Sequence, residues 1–198
     1  MRRGPLLTFV GLAMVGTLGC NAPAGAQDFS ACYLSDTTLD RAMQRPSPLG
    51  ATTLTLGGEE ATLCYGRPSA KQRKVMGGLV PWGTPWRMGA NEATAIHLPF
   101  PASLGGVQVG PGDYSLYAIP DEGTWTIVVN RAAERWGIPI NADVRAADVG
   151  SFERPAEHVP DMVEQLTFTW EQDGPDAGRL VMTWENTRIA IPVRRGGA

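Results

Sequence analysis

The chain has 198 residues, of which 43% are hydrophobic and 19% charged, and its formal net charge is −3. This composition fits one globular domain with a full core and excludes a disordered chain or a coiled coil. The acidic balance argues against a nucleic-acid partner. Two histidines and three cysteines suit few zinc sites, so we expect no metal and no cofactor. The 24 glycines and 16 prolines predict short elements joined by tight turns.

The N-terminus is typical of an export signal. Arg2 and Arg3 precede an uncharged, mostly apolar run of 14 residues from Leu6 to Gly19. That run is shorter than the roughly 20 residues that a membrane-spanning helix needs. We therefore predict a signal peptide over residues 1–26 and an exported protein of the periplasm or outer envelope.

Two cleavage sites fit this signal peptide. The sequence Thr-Leu-Gly-Cys at 17–20 resembles a lipobox, which would make Cys20 a lipid-anchored residue. The sequence Ala-Gly-Ala at 24–26 suits ordinary signal peptidase, which would cleave after Ala26. A membrane contact is expected only through the anchor at Cys20. The mature chain is predicted to be a single domain over residues 27–198, with a short N-terminal extension to about residue 50.

Two cysteines, Cys32 and Cys64, remain after either cleavage. In an oxidising compartment such a pair tends to form a disulfide. The closed loop of about 31 residues would stabilise the fold by roughly 3–4 kcal/mol in the chain-entropy model. The alternative is a pair of buried free thiols.

Apolar and polar residues alternate along most of the mature chain, which is the period of β-strands. Residues 39–43 could form one or two helical turns, and residues 131–136 predict a second short helix before Gly137. Strands are predicted at residues 53–56, 61–65, 93–98, 114–119, 124–129, 166–170, 180–184 and 189–193. These strands do not alternate with helices. We therefore predict an all-β fold, an antiparallel, jelly-roll-like β-sandwich with at most one or two short helices.

The positive charges of the mature chain are concentrated in one stretch. Residues 61–91 contain no Asp or Glu and carry five cations: Arg67, Lys71, Arg73, Lys74 and Arg87. Such a local surplus of positive charge on an acidic protein creates a positive electrostatic potential that can attract anions. The alternative is that these side chains pair with carboxylates that the fold brings close.

The same region carries a family resemblance. Residues 89–94 read Gly-Ala-Asn-Glu-Ala-Thr, and the pattern continues in Pro-Gly-Asp-Tyr-Ser-Leu at 111–116 and Trp-Thr-Ile at 125–127. This chain resembles the bacterial family called domain of unknown function 2911, from about Pro46 to Val193. The resemblance implies an exported bacterial protein and brings no established activity.

Eight residues of this region are candidates for a binding site, because tryptophan faces beside arginine, asparagine and carboxylate side chains suit a sugar or an anion. They are Arg67, Lys71, Arg73, Trp82, Trp86, Arg87, Asn91 and Glu92. Asn91 is expected in a left-handed turn that leads into the next strand. The structural alternative is a buried ion pair in which Arg87 or Arg67 grips Glu92 and fixes the loop.

Three functions remain open. The leading hypothesis is a non-catalytic binding or envelope-associated module for a small anion, a glycan or another envelope component. The second is a hydrolase in which Glu92 works with a distant carboxylate. The third is a structural envelope lipoprotein. The two histidines offer no metal-ligand spacing; we expect His97 to face solvent or cap a strand and His158 to lie in a loop. The sequence does not identify a protein partner.

Overall fold

The computed structural model describes Met1 and residues 27–196 of the chain. The predicted signal peptide, including Cys20 and both cleavage sites, lies outside the described residues except for Met1. Within the described part, no helix is long and apolar enough to cross a membrane.

The chain forms ten strands and two short helices within residues 27–196. In chain order they are α1 Leu39–Met43, β1 Leu49–Leu56, β2 Glu59–Gly66, β3 Thr94–Leu98, β4 Ala102–Leu104, β5 Val107–Val109, β6 Gly112–Ile119, β7 Thr124–Asn130, α2 Ala142–Arg145, β8 Asp148–Pro155, β9 Glu157–Gly174 and β10 Ala177–Arg195. The alternation of apolar and polar residues in the sequence therefore predicts most of these strands.

Two antiparallel sheets are built from these strands. The larger sheet has the order β1-β2-β3-β6-β7-β8, and the smaller has the order β5-β4-β10-β9. Apolar side chains that alternate along the strands fill the space between the sheets, including Leu63, Ile96, Leu116, Trp125 and Met182. The prediction of an all-β sandwich is confirmed. The predicted hairpin of residues 114–129 is also confirmed, since Ile119 pairs with Thr126.

The face of the larger sheet that points away from the core, here called the outer face, is covered by two segments. Residues 27–48 cross it and are linked to it by a disulfide between Cys32 and Cys64, whose Cα atoms lie 5.6 Å apart. The predicted pairing is therefore present in the structure. The second segment is the connection between β7 and β8, which contains α2.

Two local predictions are wrong. Residues 131–136 are not helical, because the chain there pairs with the segment before β3: Ala93 N–H donates to the Arg135 carbonyl at 3.1 Å, and Gly137 N–H donates to Asn91 at 2.8 Å. The second short helix is α2 instead, and Asn141 caps it by accepting from the Val144 N–H. His158 lies in strand β9 rather than in a loop.

The two last predicted strands, 180–184 and 189–193, are parts of one long strand. A register shift in β10 lies at Glu185, whose φ of 55° breaks the alternation. The Glu185 carboxylate accepts hydrogen bonds from the N–H groups of Val75 and Met76, both at 3.1 Å. This irregularity therefore holds the loop between β2 and β3 against the smaller sheet.

Candidate functional site

Glu92 forms a buried ion pair, but its partner is not one of the arginines that the sequence suggested. Its Oε2 lies 2.6 Å from Nη1 of Arg45, and its Oε1 accepts from the Ser35 N–H at 3.1 Å. Arg45 also lies over the Trp136 ring, 5.6 Å from its centroid. We call the contacts of Ser35, Arg45 and Glu92 the clasp. The expected pairing of Glu92 with Arg87 or Arg67 is therefore wrong.

The clasp also bears on the hypothesis of a hydrolase, because it engages the Glu92 carboxylate. Glu92 is only 6% exposed, and both of its oxygens are occupied. A general acid or nucleophile has to reach its substrate, and this carboxylate is almost fully buried and bound by Arg45 and Ser35. This geometry gives no support to a hydrolase that uses Glu92.

The backbone around Glu92 requires a left-handed residue at Asn91 and a glycine at position 66, which lies opposite the motif. Asn91 has a φ of 63°, as expected for a left-handed turn, and its Nδ2 donates to the Ser47 carbonyl at 2.8 Å. A Cβ on Gly66 would lie 2.0 Å from the Ala90 carbonyl oxygen. The motif therefore allows two backbone segments to approach closely at the start of β3.

Arg67 and Arg73 of the basic stretch donate hydrogen bonds to other parts of the chain. Arg67 donates to Thr167 Oγ1 at 3.2 Å and to the Leu166 carbonyl at 3.4 Å, both on β9. Arg73 donates to the carbonyls of Ala70 and Ser69, each at 2.9 Å. Lys71 is exposed, away from the clasp, and its backbone N–H donates to the Glu164 carboxylate. These three candidates do not come together in one cleft.

The two candidate tryptophans also separate. Trp86 packs between the sheets, stacked on Trp184 at 6.0 Å and edge-on to Trp125 at 5.9 Å. Trp82 is half-buried beside Gly77 and lines a groove at one end of the sandwich. The structure therefore does not bring the eight candidates into a single site.

Arg87 combines partial burial with the lack of a carboxylate partner in residues 27–196, as Arg135 does. Its side chain is half-buried, its Nε is buried with no hydrogen-bond acceptor, and no carboxylate within residues 27–196 lies within 4.0 Å of its guanidinium. Burial lowers the pKa of Arg87. Its stem lies against Gly137, where a Cβ would come within 2.1 Å of Arg87 Cδ. The other side chains around this glycine therefore define the surroundings of Arg87.

Arg135 is the second arginine beside Gly137. Its Nη1 donates to the carbonyls of Gly137 at 3.0 Å and Trp136 at 3.1 Å, while its Nη2 is buried without a partner. Burial lowers the pKa of Arg135, and the charge of Tyr117 opposes that shift. No carboxylate of the described chain lies within 4.0 Å of Arg135 either.

Tyr117 and Asn130 project from the outer face toward Asp148. The Tyr117 hydroxyl donates to Asp148 Oδ2 at 2.8 Å, and Asn130 Nδ2 donates to Oδ1 at 2.7 Å. Burial, aided by the hydrogen bond to Asp148, raises the pKa of Tyr117 to about 12, while Arg145 acts in the opposite direction. Each oxygen of Asp148 thus accepts from a neutral donor, and no arginine nitrogen of residues 27–196 lies within 4.0 Å of the carboxylate.

These residues form what we call the outer-face cluster: Arg87, Tyr117, Asn130, Arg135, Arg145 and Asp148. Arg145 and Asp148 line an open groove of about 560 Å³, and both also line an adjoining hollow of about 250 Å³ that reaches Tyr117. The cluster contains three guanidinium groups and one carboxylate. Arg145 and Asp148 line the open space, whereas Arg87 and Arg135 lie beside Gly137 and line neither the groove nor the hollow. Chemically, this arrangement favours a negatively charged ligand.

Sequence reasoning found only Arg87 of this cluster. Tyr117 and Asn130 carry a usable signal, since each alternates with core residues of a predicted strand and so points to the outer face. Asp148 begins β8, which has no fully buried residue and whose sequence lacks the apolar–polar alternation that predicts a strand. Its place in the cluster therefore depends on pairing that the local sequence does not show.

His97 lies apart from this cluster and faces solvent, as expected. Its Nδ1 lies 2.5 Å from Asp113 Oδ1, and the two side chains are about equally exposed. Within the described part of the chain, no group of three or more His, Cys, Asp or Glu residues is suited to hold a metal ion.

The comparisons with known proteins identify the family. A family model described as "Protein of unknown function (DUF2911)" matches residues 47–193. No curated protein and no solved structure matches the chain. The matched region contains every strand of both sheets in whole or in part, together with Glu92 and the outer-face cluster, whereas Arg45, Ser35 and Cys32 precede it. Because the match covers well over half of its length, the chain belongs to the DUF2911 family.

Proposed function

We propose that this protein is an exported, non-catalytic module that binds a small anion at the outer-face cluster. The observation that carries the proposal is Arg87, a half-buried guanidinium that has no carboxylate within 4.0 Å in residues 27–196. Export is supported by the disulfide between Cys32 and Cys64, since disulfides persist in oxidising compartments.

A partly desolvated cation without a counter-charge is unfavourable, because the lost hydration is not replaced. Arg87 and Arg135 each retain one buried N–H without an acceptor. The carboxylates nearby are engaged elsewhere: Glu92 pairs with Arg45, and Asp148 accepts from Tyr117 and Asn130. A bound oxyanion would supply both the missing charge and the missing acceptors.

The ligand class follows from the geometry of the donors. A guanidinium presents parallel N–H groups that match the two oxygens of a carboxylate or a phosphate. The open groove beside Arg145 gives room for the rest of such a molecule. We therefore propose a small molecule that bears a carboxylate or phosphate group.

The test is a thermal-shift titration with phosphate, sulfate, succinate and citrate at constant ionic strength. An anion at 100 times its dissociation constant should add about 2.7 kcal/mol of stability. Arg87→Met keeps the side-chain stem but removes the charge, and should abolish the shift. Arg73→Met is the matched control, because Arg73 bonds only to carbonyls of its own loop. No shift with any of the four anions, or an equal shift in Arg87→Met, would overturn the proposal.

A further inference from the structure

The loop between β2 and β3 carries positive charge that the proposed anion site does not use. We call residues 71–74 together with Leu79 the basic tip. Its cations are Lys71, Arg73 and Lys74, which include both lysines of the chain. All four residues from 71 to 74 are exposed. No carboxylate of the described chain lies within 4.0 Å of these three cations, so the tip presents unpaired positive charge to solvent.

The turn of the basic tip is fixed by its own backbone and by Arg73. Lys71 and Gln72 have φ angles of 51° and 60°, a left-handed conformation that residues other than glycine adopt rarely. The Arg73 guanidinium donates to the carbonyls of Ser69 and Ala70, each at 2.9 Å, and so closes the turn. Neither contact involves a lysine ammonium group. The two lysines can therefore be replaced without removing the bonds that shape the turn.

The carboxylates around this loop bind its backbone rather than its cations. The Glu164 carboxylate on β9 accepts from the Lys71 N–H at 2.9 Å. The Glu185 carboxylate on β10 accepts from the N–H groups of residues 75–76, both at 3.1 Å. Asp161 is an exposed carboxylate of β9 and forms no ion pair with the tip either. These carboxylates lower the local net charge but neutralise none of the three cations by direct contact.

Exposed apolar side chains accompany the cations of the tip. Leu79 is 41% exposed, and its N–H donates to the Lys74 carbonyl at 3.1 Å, so it lies beside that lysine. Met162 on β9 is 50% exposed and lies two residues before Glu164, whose carboxylate holds the loop. Lysine and arginine next to protruding apolar side chains are typical of protein surfaces that bind at the interface of anionic bilayers. A soluble polyanion would pair with the cations but would leave Leu79 in water.

The charge of the remaining chain favours one orientation on an anionic surface. All 20 Asp and Glu residues lie outside residues 61–91, the stretch that contains the tip. An anionic surface therefore attracts the tip and repels most of the remaining protein, which orients its approach.

The predicted lipid anchor would add to such a contact. Cys20 lies seven residues before Gln27, and a chain of that length reaches at most about 25 Å. Gln27 donates to the Ala51 carbonyl on β1, and Ala51 pairs with Cys64 of β2, the strand that leads into the loop of the tip. A single lipid chain binds bilayers only weakly, so stable attachment needs a second contact, for which a basic surface suffices.

We propose that the basic tip docks on an anionic lipid surface, with its three cations against the headgroup phosphates and Leu79 in the interface below them. Soluble phosphates share the chemistry of the headgroups, but only a bilayer also accepts the leucine. This contact goes beyond the proposed anion site and shares no residue with the outer-face cluster. Either proposal can therefore fail while the other stands.

The test is sedimentation with phosphatidylglycerol or phosphatidylcholine vesicles. It uses the protein that begins at Gln27, which contains every described strand and helix and carries no lipid. The phosphatidylglycerol vesicles should bind the protein, the phosphatidylcholine vesicles should not, and added salt should weaken the binding. Lys71→Gln together with Lys74→Gln should lower the partition coefficient about thirtyfold, since each cation near an anionic surface contributes a factor of about five. Leu79→Ser should lower it by about threefold or more.

Matched controls remove the same groups elsewhere. Arg41→Gln together with Arg194→Gln removes two exposed charges that form no ion pair within the described chain. Leu39→Ser removes a leucine that is 40% exposed. These controls, and Arg87→Met of the anion site, should bind the vesicles nearly as tightly as the unchanged protein.

The proposal is overturned if the unchanged protein does not bind phosphatidylglycerol vesicles or binds both kinds of vesicle equally. It is equally overturned if the Arg41 and Arg194 pair weakens binding as much as the lysine pair, because the attraction would then have no site. Binding to soluble polyphosphate as tight as to the vesicles, with no effect of Leu79→Ser, would overturn it in favour of a polyanion.

Discussion

The clasp between Arg45 and Glu92 can be tested by double-mutant cycles, because the structure and the sequence motif name different partners for Glu92. Glu92→Gln removes the charge but keeps an amide oxygen that can accept from the Ser35 N–H. Arg45→Met removes the charge but keeps apolar volume over Trp136. The quantity of interest is the coupling free energy between these two substitutions.

The expected magnitude follows from burial and distance. Two unit charges about 4 Å apart attract by about 4 kcal/mol at an effective dielectric constant near 20. The Arg45 side chain is 20% exposed and the Glu92 side chain 7% exposed, so solvent screens the pair only in part. We expect a coupling of about 2–3 kcal/mol and only a modest decrease in 1 M salt. Glu92→Gln alone should destabilise the protein by about 3 kcal/mol, because Arg45 loses its counter-charge.

The control cycle combines Glu92→Gln with Arg87→Met. Arg87 lies within 4.0 Å of no carboxylate of the described chain, so this coupling should stay below about 0.5 kcal/mol. Urea unfolding followed by tryptophan fluorescence measures both cycles. A larger coupling for Arg87 than for Arg45, or near-zero values for both, would refute the assignment of the clasp.

Two further predictions concern stability. Replacing Cys32 and Cys64 with alanine removes a crosslink with a sequence separation of 32. The free energy of unfolding should fall by about 3.7 kcal/mol, and Tm should fall by about 7–15 °C. Adding reductant to the unchanged protein should give an equal loss of stability, and a loss below about 1 kcal/mol contradicts the prediction. In the folded protein the pKa of Tyr117 is raised to about 12. The unfolded chain loses the phenol proton near pH 10, whereas the folded chain keeps it. The free energy of unfolding should therefore fall by about 2 kcal/mol between pH 10 and 12. Tyr117→Phe should lose that part of the alkaline decline, measured as the urea midpoint against pH, whereas Tyr33→Phe should keep it; identical declines in all three proteins would count against the assignment.

The strands that could be predicted are those that bury one face. The predicted segments within β1, β2, β3, β6 and β7 place alternate apolar residues in the core, and this produces the period of two along the sequence. The strands that were missed lack this pattern. The β4 and β5 strands have three residues each, and no residue of β8 is fully buried. Such short or exposed strands form because neighbouring strands supply their hydrogen bonds.

The incorrect helix shows the same limit. Residues 131–136 include two alanines, a glutamate and two arginines, which favour a helix by intrinsic propensity. In the structure the Asn130 side chain accepts from the Ala132 N–H, and the chain then pairs with residues 91–93. A pairing partner about 40 residues earlier in the sequence therefore outweighs a propensity of a few tenths of a kcal/mol per residue.

For the site, the sequence indicated the unusual residues but not their partners. The sequence predicts a role for Glu92 as the carboxylate of the motif at the start of a strand, and it is buried in an ion pair. The arginine that satisfies it comes from position 45, before the first residue of the family match at 47. No local spacing connects these two positions, because the N-terminal extension reaches Glu92 by crossing the outer face.

The position of Arg45 has a consequence for Arg87. Arg87 Cδ and the Glu92 carbonyl oxygen both lie next to Gly137, so the backbone places the two motif residues side by side. The Glu92 carboxylate nevertheless pairs with Arg45. The N-terminal extension thus takes up the negative charge nearest to Arg87 along the motif, and the guanidinium is left half-buried without a counter-ion from the described chain. The charge that the proposed anion site offers at Arg87 therefore depends on a segment outside the family match, because Arg45 of that segment pairs with Glu92.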